Sequence, residues 1–225
     1  MKYYFNGVSL QNKRSSNMDS LLLKSRAIGA AKAMLAVVCD GVGSLVDGGF
    51  ASGVAARSLS HWFSNISTIS HIGLGMRDEI LSINSHIVAQ AAKMNLDTAT
   101  TLTALLLVED SYYIAHIGDS RIYCYSNDDL SILTSDDISS SGKLTGYIGK
   151  THDVFLQYFE GFAIDKTFLI CSDGLYNRMS TDILIEKMQS WKERSSNEQI
   201  DFLSSYVIER GETDNISLAL VCLES

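Results

Sequence analysis

The chain has 225 residues, of which 46% are hydrophobic and 20% charged, with a formal net charge of −8. That length suffices for one domain with a sizeable core, and the balance is that of an ordinary globular protein. A negative chain without a basic cluster excludes nucleic acid as the main partner, and no stretch approaches the roughly 18 apolar residues of a membrane span.

Residues 3–9 read as a weakly alternating first strand, and Gln11–Asp19 is polar and loop-like. Leu21–Lys24 is a second strand, and Ala33–Cys39 is a third that runs straight into Asp40. Gly48–Ile66 has helical spacing, with Phe50, Val54, Leu59 and Phe63 on one stripe. Gly73–Asn95 repeats that pattern with Met76, Ile80, Ile83, Ile87, Ala91 and Met94, and both stripes read as core faces. Strands follow at Thr98–Val108, Tyr112–Ile117, Arg121–Tyr125 and Leu130–Leu133, with turns at Glu109–Ser111 and Asn127–Asp129. Ser135–Gly149 is rich in Ser, Gly and Asp and reads as a mobile loop. Val154–Phe159 and Thr167–Cys171 are strands, Ser180–Met188 and Ser196–Arg210 helices, and Ile216–Leu223 a closing strand.

No repeat or linker interrupts this order, so residues 1–225 are expected to form a single domain. The class is α+β: a four-layer sandwich of two mainly antiparallel sheets, each covered by a helix pair. Cys39, Cys124, Cys171 and Cys222 lie in apolar strand-like runs without a CxxC pair. They read as small buried hydrophobes in a reducing compartment. The N-terminus lacks a signal-peptide apolar core, and a cytoplasmic location is expected. Proline is absent, so turns rely on Gly, Asn, Asp and Ser.

The chemistry sits at strand ends. Met34–Cys39 is an unbroken apolar run that stops at Asp40-Gly41-Val42-Gly43. A carboxylate where the chain leaves the core needs a partner, and a divalent cation is a natural one. Taken alone, this pattern is most often a strand followed by an Asx turn. It recurs, however, as Phe168-Leu-Ile-Cys-Ser-Asp173-Gly174, as Asp214 before the last strand, and as Asp119 in His116-Ile-Gly-Asp-Ser-Arg121. Four carboxylates converging on one edge form an oxygen-rich site suited to Mg²⁺ or Mn²⁺.

Several marks then resemble, in order, the metal-dependent protein serine/threonine phosphatases of type 2C (the PPM family). They are Arg14-Ser-Ser-Asn-Met-Asp19, Asp40-Gly-Val-Gly43, Thr100-Thr-Leu-Thr-Ala104, Gly118-Asp-Ser-Arg121, Leu144-Thr-Gly-Tyr-Ile-Gly149, Cys171-Ser-Asp-Gly-Leu175 and Asp214-Asn215. The resemblance implies hydrolysis of phosphoserine and phosphothreonine in proteins at a centre of two Mn²⁺ or Mg²⁺ ions. By position, Asp40 bridges both ions, the Gly41 carbonyl binds one, and Asp173 and Asp214 bind the other. Asp19 holds metal-bound waters from behind. Arg14 matches the phosphate-binding arginine, which without the family would read as a solvated loop charge. Asp119 matches a carboxylate at a third, weaker metal position. The implied partners are a phosphorylated protein and an associated kinase, and a monomer is expected.

The chain departs from the pattern in four places. Val42 stands where many eukaryotic members carry a histidine proposed as general acid, as suits the bacterial branch. His116 reads as strand-embedded and does not replace it. Met18 stands where an acidic residue is usual, and Asn177 replaces the last carboxylate of the Ser-Asp-Gly motif. The flap of longer members is cut to Ser135–Leu144, which implies few substrate contacts and low sequence selectivity. The alternatives are a non-catalytic regulator of the same fold and, less favoured, a hydrolase of small phosphate esters. Intact Asp40, Gly41, Asp173 and Asp214 speak for catalysis, and the absence of a glycine-rich nucleotide loop speaks against the small-ester hydrolase.

Overall fold

The protein is described as a computed structural model over residues 2–43, 45, 47–190 and 196–224. In chain order come β1 (Lys2–Leu10), β2 (Ser20–Ile28), β3 (Ala31–Cys39), α1 (Gly48–Asn65), α2 (Ile72–Met94), β4 (Leu102–Val108) and β5 (Ser111–Ile117). There follow β6 (Arg121–Ser126), β7 (Asp129–Ile132), β8 (Gln157–Phe162), β9 (Thr167–Cys171), α3 (Asp173–Tyr176), α4 (Thr181–Ser190), α5 (Ser196–Glu209) and β10 (Ile216–Glu224). One sheet has the order β1-β10-β9-β6-β7 and the other β2-β3-β4-β5-β8. The named pairs are antiparallel throughout.

The two sheets pack face to face, and the period-2 alternation of each strand decides which side chains meet. Met34, Ala36 and Val38 of β3 pack between the sheets with Leu105, Ile114, Phe168 and Ile170. Leu35, Val37 and Cys39 point the other way, into a layer with Leu59 and Phe63 of α1 and Met76, Ile80 and Ile87 of α2. A third layer joins Leu169, Leu218 and Leu220 to Leu184 and Met188 of α4 and Ile200, Leu203 and Val207 of α5. The expected four-layer sandwich is therefore observed. A central strand buried on both faces has no polar face to show, which is why residues 34–39 read as an unbroken apolar run. No helix among the described residues is long and apolar enough to cross a membrane.

At one end the inter-sheet layer turns polar. Thr103, His116 and Ser120 are all fully buried there. The His116 Nε2–H donates to the Ser135 carbonyl at 3.2 Å, and its Nδ1 accepts from the Thr103 hydroxyl at 2.8 Å. Burial holds this imidazole neutral by lowering its pKa. The expected structural role of His116 is the observed one.

Apart from β4, which starts at Leu102 rather than Thr98, three segments differ from the sequence reading. The strand expected at Val154–Phe159 begins instead at Gln157 and runs to Phe162, because Val154 and Leu156 are drawn down onto the α1–α2 core layer. The Ser-Asp-Gly motif opens a one-turn helix, α3. The 135–149 stretch, read as a mobile loop, is pinned at both ends. Asp137 accepts from the Gly118 N–H at 2.8 Å, and its own N–H donates to the Gly118 carbonyl at 2.7 Å. Ile148 exchanges both backbone bonds with Thr100, at 3.0 and 2.9 Å.

Asn84, buried on α2, completes this strap. Its Oδ1 accepts from the Gly149 N–H at 2.8 Å, and its Nδ2 donates to the Thr151 and His152 carbonyls at 2.9 and 3.1 Å. Asn84→Ala leaves the buried Gly149 N–H without a partner. It is expected to lower the unfolding free energy by about 2–3 kcal/mol, measured by urea denaturation. A variant within about 0.5 kcal/mol of wild type would show that the strap is held elsewhere.

Candidate metal and phosphate site

Several loops at the polar end of the sandwich contribute to one cavity of about 530 Å³. Its wall carries Arg14 from the β1–β2 loop, Asp40 and Gly41 after β3, and Asp119 from the β5–β6 turn. Asp173 at the start of α3 and Asp214 before β10 complete it. The structure thus gathers six of the expected site residues. The other two lie just behind them. Asp19 is only 8% exposed, beneath the floor, and Asn177 donates from Nδ2 to the Asp173 Oδ2 at 3.1 Å.

Close backbone packing sets these positions. A Cβ on Gly41 would stand 2.5 Å from the Met18 carbonyl oxygen and 2.7 Å from Gly48. A Cβ on Gly174 would stand 2.0 Å from the Asn215 carbonyl oxygen. Both glycines let one carboxylate loop lie directly against another. Asn215 does the rest for the Arg14 loop. Its Oδ1 accepts from the Met18 N–H at 2.9 Å, and its Nδ2 donates to the Gln11 and Ser16 carbonyls at 2.8 and 3.0 Å.

Arg14 and Asp214, given separate roles from the sequence, form one bidentate pair. The Arg14 Nε–H donates to Asp214 Oδ1 at 2.8 Å and Nη2–H to Oδ2 at 2.6 Å. The guanidinium lies half exposed on the cavity wall. A second arginine fixes the Asp119 turn. Arg121 grips Asp136 through Nε at 3.0 Å and Nη2 at 2.7 Å and lies 3.7 Å over the Tyr176 ring. The Tyr176 hydroxyl donates to the Asp119 carbonyl at 2.9 Å. Sequence reasoning missed Asn84, Asn215, Asp136 and Tyr176 as supports. The adjacency of Asn215 to Asp214 was a visible signal, but nothing local in the sequence pointed to the other three.

The electrostatics favour cations. Four carboxylates line the cavity against one arginine. Asp40 has its pKa raised well above the usual carboxylate range, by burial first and then by the charges of Asp19, Asp173, Asp119 and Asp214. Asp173 is raised by burial and by Asp214, against the stabilising bond from Asn177. Asp19 is pushed to about 6 by burial, although the Ser217 and Ser172 hydroxyls lower it. Its buried Oδ2 has no hydrogen-bond partner. An orphaned buried carboxylate oxygen behind a wall of mutually repelling carboxylates fits hard divalent ions. Among the described residues, no three His, Cys, Asp or Glu side chains close on a common point. That spacing still suits Mg²⁺ or Mn²⁺, since Mg²⁺ keeps several of its waters and needs only one or two direct carboxylates.

Stability without metal follows from these shifts. Burial, with Asp173 next, raises Asp119 from 3.8 to about 6, so the folded state holds a proton that the unfolded chain has lost. The group's stabilisation is complete below pH about 4 and is lost as pH rises through about 6. In chelator, Asp119→Asn is therefore expected to match wild type near pH 4 and to exceed it at pH 8 by on the order of 2 kcal/mol. Urea midpoints at the two pH values check this. An advantage that is equal at both, or larger in acid, would contradict a desolvated Asp119.

Residues 7–204 match the family profile described as Protein phosphatase 2C. The serine/threonine phosphatase Stp of Listeria welshimeri is 30% identical over 215 residues, which cover 83% of each chain. The serine/threonine protein phosphatase PstP of Mycobacterium tuberculosis is 27% identical over 198 residues, 78% of this chain and 37% of that one. A crystal structure of a bacterial serine phosphatase superposes with a TM-score of 0.90 at 21% identity, covering 100% of this chain and 99% of the other. The catalytic domain of PstP, in complex with 2 manganese ions, gives 0.84 at 24% identity over 99% of both chains. With a profile match over most of its length and a shared sandwich, the chain belongs to the protein phosphatase 2C family.

Proposed function

We propose that residues 1–225 act as a single domain that hydrolyses phosphoserine and phosphothreonine esters in proteins at a two-metal centre built on Asp40. The observation that carries this reading is the wall of four carboxylates and one arginine on a single open cavity. The names of the Listeria and mycobacterial relatives support the substrate class. The two manganese ions in the PstP catalytic domain support the number of metals.

Asp40 would be shared between the two ions, with the Gly41 carbonyl on one and Asp173 and Asp214 on the other. Bound Mn²⁺ or Mg²⁺ supplies a water activated near neutral pH and offsets the charge that develops on the phosphoryl oxygens. Asp19, from behind the floor, orients the solvent shell of the site. Arg14 presents the planar fork that matches two phosphoryl oxygens, the geometry with which it now grips Asp214. No histidine lines the cavity among the described residues, and both ring nitrogens of His116 are engaged elsewhere. The proton for the departing serine or threonine oxygen must then come from water or another group. The set Asp40, Gly41, Asp173 and Asp214 is complete, which favours turnover over a purely regulatory role. A kinase acting on the same substrates, in the cytoplasm, is the implied counterpart.

Asp40→Asn is expected to fold and to lose at least about 10³ in kcat on a phosphothreonine peptide with Mn²⁺, about 4 kcal/mol of transition-state stabilisation. Undiminished turnover in the folded variant would remove Asp40 from the centre. Arg14→Ala should raise KM more than it lowers kcat, and Arg14→Lys should recover little of the loss.

Asn177 sits 3.1 Å from Asp173 but off the cavity wall, so a third ion shared between it and Asp119 would bind weakly. Asn177→Asp adds a charge beside Asp173 and is expected to lower the metal concentration for half-maximal activity or to add a binding event in calorimetry. No change in either would make Asn177 only a support for Asp173.

A further inference from the structure

A second pocket of about 500 Å³ opens beside the carboxylate cavity and shares Val42 and Leu144 with it. Its floor is apolar, built by Val42, Ala99 and Leu144. Its rim carries Lys143, Tyr147 and Lys150. This rim contrasts with the rest of the molecule, whose net charge is −8, and with the acidic wall next door.

The pocket is preformed. The Val42 N–H donates to the Ala99 carbonyl at 3.0 Å, which fixes the floor. Lys143 ends a tight turn in which Ser139 N–H donates to the Lys143 carbonyl at 2.8 Å and Lys143 N–H to the Ser139 hydroxyl at 3.1 Å. The turn is closed by a bridge between Ile138 and Leu144 and rooted through Asp137 on Gly118. Lys150 follows the strap held by Asn84 and Thr100. It pairs with Asp97 at 3.0 Å while staying exposed. Lys143 is also exposed and forms no ion pair among the described residues.

We infer that this pocket is a substrate subsite for an anionic side chain, a carboxylate or a second phosphoryl group, that flanks the phosphorylated residue. The inference rests on the phosphatase reading and adds a specificity to it. A phosphopeptide whose phosphate lies on the Asp40 wall must leave the cavity over its rim, and Val42 and Leu144 form the side of that rim shared with the second pocket. A cationic rim over an apolar floor receives the methylene stem and the charged head of a Glu, Asp or phosphoserine. It repels Lys and Arg. The shortened flap therefore replaces extended contacts with a local charge preference.

The test uses the full chain with Mn²⁺ and a series of phosphothreonine peptides. Each carries a single Glu, Lys, Leu or phosphoserine, scanned from roughly four residues before the phosphothreonine to four after, in an otherwise neutral extended peptide. Hydrolysis of p-nitrophenyl phosphate is followed in parallel. At one position or an adjacent pair, Glu is expected to raise kcat/KM over Lys about two- to fivefold, with phosphoserine at least equal to Glu. Salt of about 0.5 M should erase most of that difference. Lys143→Glu should reverse the preference and leave p-nitrophenyl phosphate hydrolysis unchanged, and Lys150→Glu should act in the same direction. Equal rates for Glu and Lys at every position, a preference for Leu, or a Glu preference that survives in both variants would overturn the inference. Failure of the phosphatase reading looks different, since p-nitrophenyl phosphate is then inert as well. In that case, binding of fluorescent Glu and Lys peptides by anisotropy decides the subsite directly, and equal affinities overturn it.

Discussion

The acidic end of the sandwich concentrates a repulsion that protonation or bound cations would relieve. Asp40 is surrounded by the charges of Asp19, Asp173, Asp119 and Asp214, and burial adds to their effect. These carboxylates sit at strand ends, and the strands are fixed by three apolar layers that fill the space between helices and sheets. Each strand register is locked because a one-residue slip would turn every apolar side chain to the wrong face. The apolar layers therefore hold the acidic end together, and bound cations would turn that cost into affinity.

Buried polar groups transmit this hold to the loops. Asn215 ties the Arg14 loop to the start of β10 through three backbone bonds. Arg121, Asp136 and Tyr176 brace the turn that carries Asp119. Asn84 reaches from a helix to the strap at residues 149–152. Asn215 and Asn84 each satisfy several backbone groups at once, which is the form in which buried polarity stabilises a single arrangement. The site is thus placed on loops but oriented by side chains anchored in regular structure, and its positional precision comes from those anchors.

What the sequence made legible follows the same division. Met34–Cys39 and Phe168–Cys171 are visible because a strand covered on both faces admits no polar residue, and a carboxylate straight after such a run stands out. The helices are visible because α1 and α2 each bury one stripe. The start of β8 was misplaced because Val154 and Leu156 are apolar for a different reason, packing onto the helix layer from outside the sheet. The 135–149 segment looked like free loop because its order comes from Asp137, Thr100 and Asn84, which lie far from one another in the chain. The Arg14–Asp214 pair spans 200 positions. No local pattern encodes it, although both residues were singled out individually.

Charge also limits how a substrate arrives. With a net charge of −8, the distant field of the molecule opposes an anionic phosphoprotein. At physiological ionic strength that field is screened beyond about 8 Å, so only cations near the cavity can compensate. Arg14 on the wall, the metal ions that the carboxylates would hold, and Lys143 and Lys150 on the adjoining rim are those cations. Two lysines with exposed, strongly hydrated heads stand at the rim, and one planar guanidinium stands on the wall beside the carboxylates. In the proposed subsite, the rim lysines would meet the anionic neighbour of the phosphorylated residue, while the phosphate itself would meet the guanidinium on the wall. Selection by charge at the rim and by geometry at the wall would then be separate properties of neighbouring residues, so the rim could change its preferred neighbours without disturbing the centre proposed at Asp40.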